Sequence, residues 1–167
     1  MIQYKKYYMP GTKEELLKTI DTIDCTYDIL AGGTDLYAKE KTPFNGADAA
    51  IDISGIKEFS VIKLKKEEGL ITFGSNICIQ QFLEEKVLME NVPILRHAAI
   101  YFADQQIREM ATVGGNVANS SPSGDTIAPL TALEAVIHTI TLKDNKICEK
   151  ETPITEFITG VGKNLLE

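Results

Sequence analysis

Tryptophan is missing from this sequence, histidine occurs twice and cysteine three times. Cys25, Cys78 and Cys148 are widely spaced and odd in number, with no C-x-x-C pair. That argues against a disulfide framework and fits reduced thiols in a cytoplasmic protein. With only His97 and His138 beside them, no zinc site is expected and no metal ligand is assigned. Basic residues are also few: 17 against 24 acidic, for a net charge of −7. Lys63, Lys65 and Lys66 lie close to glutamates, so the basic footprint of a nucleic-acid binder is missing. No apolar run approaches the ~18 residues a membrane span needs, and Met1–Lys6 is polar, unlike a signal peptide. The expectation is a soluble cytoplasmic protein with neither nucleic acid nor membrane as partner.

The apolar fraction is ordinary for a globular protein, and the length suits one domain or two small ones. Tyr4–Tyr8 reads as a strand ended by Pro10-Gly11. Thr12 with Glu15 is a capping box, and Leu16, Leu17 and Ile20 give one apolar face, predicting a helix over 13–22. Tyr27–Leu30 is a short buried strand. A helix over Asp35–Lys41, interrupted at Pro43 and Gly46, leads to a strand at Ala49–Ile53. This is a small α/β unit of parallel character. It lacks the G-x-G-x-x-G of a Rossmann domain.

After Ser54-Gly55 the pattern changes. Phe59–Lys65 and Leu70–Phe73 alternate around Glu67-Glu68-Gly69, an antiparallel hairpin. Helices are predicted over Ile79–Glu85 and from Pro93, the latter turning Ile94, Leu95, Ala98, Ala99 and Phe102 toward a core. Ile107–Asp125 reads as a long functional loop of small residues. A helix over Thr126–Ala135 is capped by Asp125. Strands at Ala135–Lys143 and Lys146–Glu151 join at Asp144-Asn145, and Pro153 opens a short helix through Phe157. The remainder trails out through Gly160-Val161-Gly162-Lys163, which lacks P-loop spacing. Gly55 is the expected boundary between subdomains 1–55 and 56–167.

Two glycine pairs stand out, about 80 residues apart: Gly32-Gly33 after the second strand and Gly114-Gly115 in the long loop. Such pairs let a backbone approach a ligand, and turn amides can converge on a phosphate. Facing each other across a cleft, they would clamp an extended phosphate-bearing cofactor. Asn116 tolerates left-handed geometry and bonds on two sides. Asp125 and Asp35 are candidate acceptors for sugar hydroxyls; Asp125 reads equally as a helix cap and Asp35 as an exposed turn residue.

Leu30-Ala31-Gly32-Gly33-Thr34-Asp35-Leu36, Ile107-Arg108, Ala111–Asn119 and Ser121-Pro122-Ser123-Gly124-Asp125 together resemble the FAD-binding medium subunits of molybdenum hydroxylases. These are the xanthine dehydrogenase and carbon monoxide dehydrogenase flavoproteins. Asp52-Ile53-Ser54 and Gly160–Lys163 are weaker matches in register. The resemblance implies an α+β, PCMH-type FAD fold: a small βαβ subdomain plus a larger one with a mainly antiparallel sheet and flanking helices. It implies that Leu30, Ala31, Gly32, Gly33, Thr34, Asp35 and Leu36 wrap the pyrophosphate. Ala111, Thr112, Gly115, Asn116 and Asp125 would line the opposite side. Phe102 falls where the family often places a flavin-site side chain, though periodicity puts it equally well in the core.

The implied role is electron transfer from iron–sulfur clusters through FAD to NAD or another acceptor, with no catalytic acid or base in this chain. The implied partners are a molybdopterin-binding large subunit and a 2Fe-2S small subunit. The family's C-terminal domain is expected to be lacking, and with it part of the flavin's cover and of the partner contacts. A non-catalytic assembly module with weak or no FAD binding, or a nucleotide-binding regulatory domain, would also be compatible with the residues.

Overall fold

The chain enters through a strand that stops almost at once. β1 (Lys6–Tyr8) gives way to the turn at Pro10-Gly11, and α1 (Lys13–Thr22) follows. The computed structural model describes residues 4–39, 47–144 and 146–166. Helix α1 starts where the capping box predicts. Thr12 Oγ1 accepts the Glu15 amide at 3.2 Å, and the Glu15 carboxylate accepts the amide of Gly11, at 2.7 Å, in place of Thr12's own. Leu16 and Leu17 are its buried face.

β2 (Tyr27–Leu30), α2 (Thr34–Lys39) and β3 (Ala49–Asp52) complete the first unit. The three strands form a parallel sheet in the order β1-β3-β2, with Ala49 opposite both Lys6 and Tyr27. Being central, β3 is buried along its whole length, as expected for a parallel strand covered on both faces. The predicted continuation of α2 toward Lys41, and its interruption at Pro43 and Gly46, lie outside the described residues. Leu16, Ile51 and Ile56 form this unit's core, with Tyr8, Ile20, Ile23, Ile53 and Phe59 packed on it.

A 3-10 turn at Lys57–Ser60 leads to the predicted hairpin, β4 (Ile62–Lys65) and β5 (Leu70–Phe73), closed through left-handed Gly69. Next come α3 (Gln81–Glu84), α4 (Lys86–Asn91), α5 (Pro93–Tyr101), α6 (Gln105–Met110), α7 (Val113–Asn119) and α8 (Ile127–Ala132). A long antiparallel hairpin, β6 (Val136–Lys143) with β7 (Lys146–Pro153), is followed by α9 (Ile154–Phe157), β8 (Ile158–Gly160) and β9 (Lys163–Asn164). Asn145 of the predicted turn lies outside the described residues. The antiparallel pairing is thus spread over three two-stranded ladders. Ile77, Phe82, Leu88, Leu95, Leu130 and Phe157 are among the buried residues of the larger core, where the Phe73 and Phe82 rings meet edge to face at 5.5 Å.

Four local expectations are corrected. The stretch 107–125 is largely helical: α6 and α7 occupy most of it. Both are under two turns long and are fixed by caps rather than by an apolar period. Asp104 accepts the Ile107 amide at 2.9 Å, and Thr112 accepts that of Gly115 at 3.0 Å. The helix after Asp125 is shorter than predicted; its N-cap position is Thr126, with no side-chain cap, and Asp125 stands exposed before it. The helix predicted over 79–85 is confined to α3, and α4 follows directly, its N-cap position being Glu85. The tail through Gly162, expected to trail out, turns back as the β8–β9 hairpin because left-handed Gly162 reverses the chain.

Candidate functional site

The two glycine motifs meet. Leu30 ends β2, its carbonyl accepting the Ile53 amide at 2.9 Å, and Ala31-Gly32-Gly33 turns the chain into α2 at Thr34. A Cβ on Gly32 would overlap the Met110 carbonyl and lie 3.2 Å from the Ala111 α-carbon. Only glycine lets the first loop lie against the junction of α6 and the second motif.

At Gly33 the backbone is left-handed, with φ +71°. A left-handed residue in such a turn brings successive amides toward one side, the geometry of an anion nest. Among the described residues, the amides of Gly32, Gly33 and Thr34 have no hydrogen-bond acceptor. Gly32, Gly33, Thr34 and Leu36 are half-buried. A pyrophosphate, with acceptors only, fits this donor set. Asp35 is exposed in the first turn of α2.

The second motif is built differently. Ala111 and Thr112 lie alongside the strand-like Ile77–Ile79. Val113 donates to Ile77 O and Ile79 to Ala111 O, each at 2.9 Å. Gly114 donates to Ser75 O at 2.9 Å, and a Cβ there would strike Ser75. Gly115 donates to Thr112 Oγ1 and Asn116 to Thr112 O, both at 3.0 Å. All four amides from Val113 to Asn116 are engaged inside the chain. The expectation that both glycine pairs offer backbone donors therefore holds for the first alone. The second contributes the exposed backbone of Gly115 and the side chains around it.

Among those, Thr112 is buried with its hydroxyl oxygen at the cap. Asn116 accepts from Thr126, through the backbone N–H at 3.2 Å and the hydroxyl at 2.6 Å. Asp125, which precedes Thr126 in the chain, is exposed and, with its capping role removed, is an available acceptor. Phe102 closes α5 and is buried in the larger core, the second of its two readings, and Ala111 is buried in the same core.

Several supports were invisible in sequence. Arg108 donates from Nε to Gln80 Oε1 at 3.0 Å and from one terminal nitrogen to the carbonyls of Phe102 and Ala103 at 3.1 Å, holding the α5–α6 corner. Asn164 Nδ2 donates to Ala118 O at 2.7 Å and Ser120 Oγ at 3.1 Å, tying the C-terminal hairpin to the end of α7. Asn76 Nδ2 donates to Ile53 O at 2.7 Å, joining the loop after β5 to the end of β3. Arg108 is marked in the sequence only by the Ile107-Arg108 motif, and Asn76 and Asn164 only as turn-forming residues.

Asp52, at the end of β3, is buried and accepts from the Tyr7 hydroxyl at 2.6 Å and the Ser54 amide at 2.8 Å. Burial pushes its carboxyl up, but the bonds from Ser54 and Tyr7 outweigh this and hold it below the usual carboxylate range. Among the described residues no group of three or more His, Cys, Asp or Glu is placed to hold a metal, and no helix is long and apolar enough to cross a membrane.

Residues 2–167 match the family described as the FAD binding domain in molybdopterin dehydrogenase. The chain is 30% identical over 166 residues to the nicotinate dehydrogenase FAD-subunit of Eubacterium barkeri, covering 97% of this chain and 54% of that protein. It is 32% identical over 139 residues to the xanthine dehydrogenase FAD-binding subunit of Escherichia coli O157:H7, covering 83% and 46%. A carbon monoxide dehydrogenase structure from Hydrogenophaga pseudoflava superimposes with a TM-score of 0.87 at 26% identity, over 100% of this chain and 56% of that one. The chain spans about half the length of these relatives.

Proposed function

Because this chain belongs to the family of FAD-binding domains in molybdopterin dehydrogenases, we propose that it is the FAD-binding, electron-transferring component of a molybdenum-containing hydroxylase. The observation that carries this reading is the turn after β2. Among the described residues the amides of Gly32, Gly33 and Thr34 make no hydrogen bond, Gly33 is left-handed, and Gly32 is seated on the Met110–Ala111 backbone. These residues, with Leu30, Ala31, Asp35 and Leu36 shaping the loop, hold the pyrophosphate. Thr112, Gly115 and Asn116 line the opposite side, and Asp125 accepts from sugar hydroxyls. The cofactor lies between subdomains 1–55 and 56–167.

When bound, FAD supplies the redox chemistry linking iron–sulfur clusters to NAD⁺ or another acceptor. The chain's own residues bind and orient it, and none serves as an acid or base toward substrate. The partners are a molybdopterin-binding large subunit and a 2Fe-2S small subunit in the cytoplasm, in line with the dehydrogenase subunits the chain resembles.

The test is the absorption spectrum of the full chain after incubation with FAD and removal of the excess, beside a pull-down with iron–sulfur and molybdenum subunits. A retained flavin spectrum is expected. Colourless protein that still captures those subunits would replace this reading with a non-catalytic assembly module.

A further inference from the structure

Thr126 donates twice to one atom. Its backbone N–H and its hydroxyl both end on Asn116 Oδ1, at 3.2 and 2.6 Å. A backbone N–H can only donate, so the atom receiving it must be the amide oxygen, and the Asn116 nitrogen is turned the other way. Thr126 is 3% exposed and Asn116 half-buried, so this orientation is held inside the fold rather than at a free surface. Among the described residues the Asn116 NH2 group meets no acceptor. That NH2 group is not sealed in the interior, where Asn76 Oδ1 is the unpartnered buried side-chain atom among the described residues, so an acceptor from outside the chain can reach it. Thr126 also follows Asp125, which is exposed and acceptor-only when ionised.

We propose that Thr126 is a positioning residue: by capturing Asn116 Oδ1 it fixes Asn116 as an N–H donor to an acceptor oxygen of the flavin nucleotide. This rests on the FAD reading above. Without the Thr126 hydroxyl only the longer bond from the backbone N–H, at 3.2 Å, holds that oxygen, and Asn116 can turn it toward the ligand, where an acceptor would face an acceptor.

The experiment measures FAD affinity by fluorescence titration, and apoprotein melting, for wild type, Thr126→Val, Thr126→Ser, Asn116→Ala and the Thr126→Val/Asn116→Ala double variant. Thr126→Val is expected to weaken FAD binding about tenfold, the size of one lost charge-assisted hydrogen bond. Thr126→Ser, which keeps the hydroxyl, restores it. In the Asn116→Ala background Thr126→Val causes no further loss, because it acts through Asn116. A merely structural role would add its loss in both backgrounds, and that result overturns the proposal, as does wild-type affinity in Thr126→Val. Should Thr126→Val fail to fold, Asn116→Asp decides: it removes the donor while keeping the acceptor, and wild-type affinity there also overturns the proposal. Wild-type protein that binds no FAD fails the underlying reading, a result distinct from any variant effect.

Discussion

Gly32 and Met110 touch backbone to backbone, with no room between them for a Cβ. This contact brings two glycine motifs, distant in sequence, to one place. It also separates two jobs that adjacent glycines share: Gly32 makes room for the chain, and Gly33 supplies a left-handed turn.

Gly32→Ala forces the loop off the Met110 carbonyl. The expected destabilisation is about 1–3 kcal/mol, the usual range for overpacking a tight contact, together with loss of flavin. Urea unfolding beside flavin absorbance checks both; unchanged stability would mean the contact yields freely.

Gly33→Ala places a Cβ in left-handed backbone, at about 1–2 kcal/mol. Gly33→Asn, which tolerates this conformation, should melt closer to wild type than Gly33→Ala. Gly33→Val is expected to bleach the protein by closing off the turn amides.

Thr112→Val removes the cap of α7 and is expected to lower stability by about 1 kcal/mol, with Thr112→Ser recovering most of it. Gly115→Val presses on the same oxygen, since a Cβ there would lie 3.0 Å from Thr112 Oγ1. Thermal melting of the three variants orders these effects.

Asp52 makes the small sheet sensitive to acid. Its folded pKa lies below the unfolded value, so its stabilising contribution is complete above the ordinary Asp value of about 3.9 and is lost as pH falls through the folded pKa. Tyr7→Phe removes one of the bonds holding the shift, so the variant has less stability to lose on acidification and the loss is complete nearer the ordinary value. Unfolding midpoints measured from pH 6 down to about pH 2 should show the variant and wild type converging at the acid end.

What was legible in the sequence follows the range of the forces involved. α1, β2 and the β4–β5 hairpin stand where periodicity and turn residues put them, because capping and alternation act over a few neighbours, although β2, expected to be buried, leaves Tyr27 and Ile29 exposed. α6 and α7 did not show, because each is under two turns long and rests on a cap and on docking. Val113 and Gly114 donate to Ile77 and Ser75, partners more than thirty residues upstream. The pairing of the glycine motifs was legible as a possibility, but their unlike amide usage was not. Asp125 looked like a cap because it precedes an apolar run, yet the cap position falls to Thr126, whose hydroxyl turns to Asn116 instead.

On the proposed function, the turn from Ala31 to Thr34 holds the pyrophosphate of FAD. The most direct measurement is calorimetric titration of the apoprotein with FAD and with riboflavin, which has the same ring and no phosphate. Saturable binding of FAD with riboflavin at least 100-fold weaker is expected, a difference of about 2.7 kcal/mol. Riboflavin binding as tightly as FAD would contradict it.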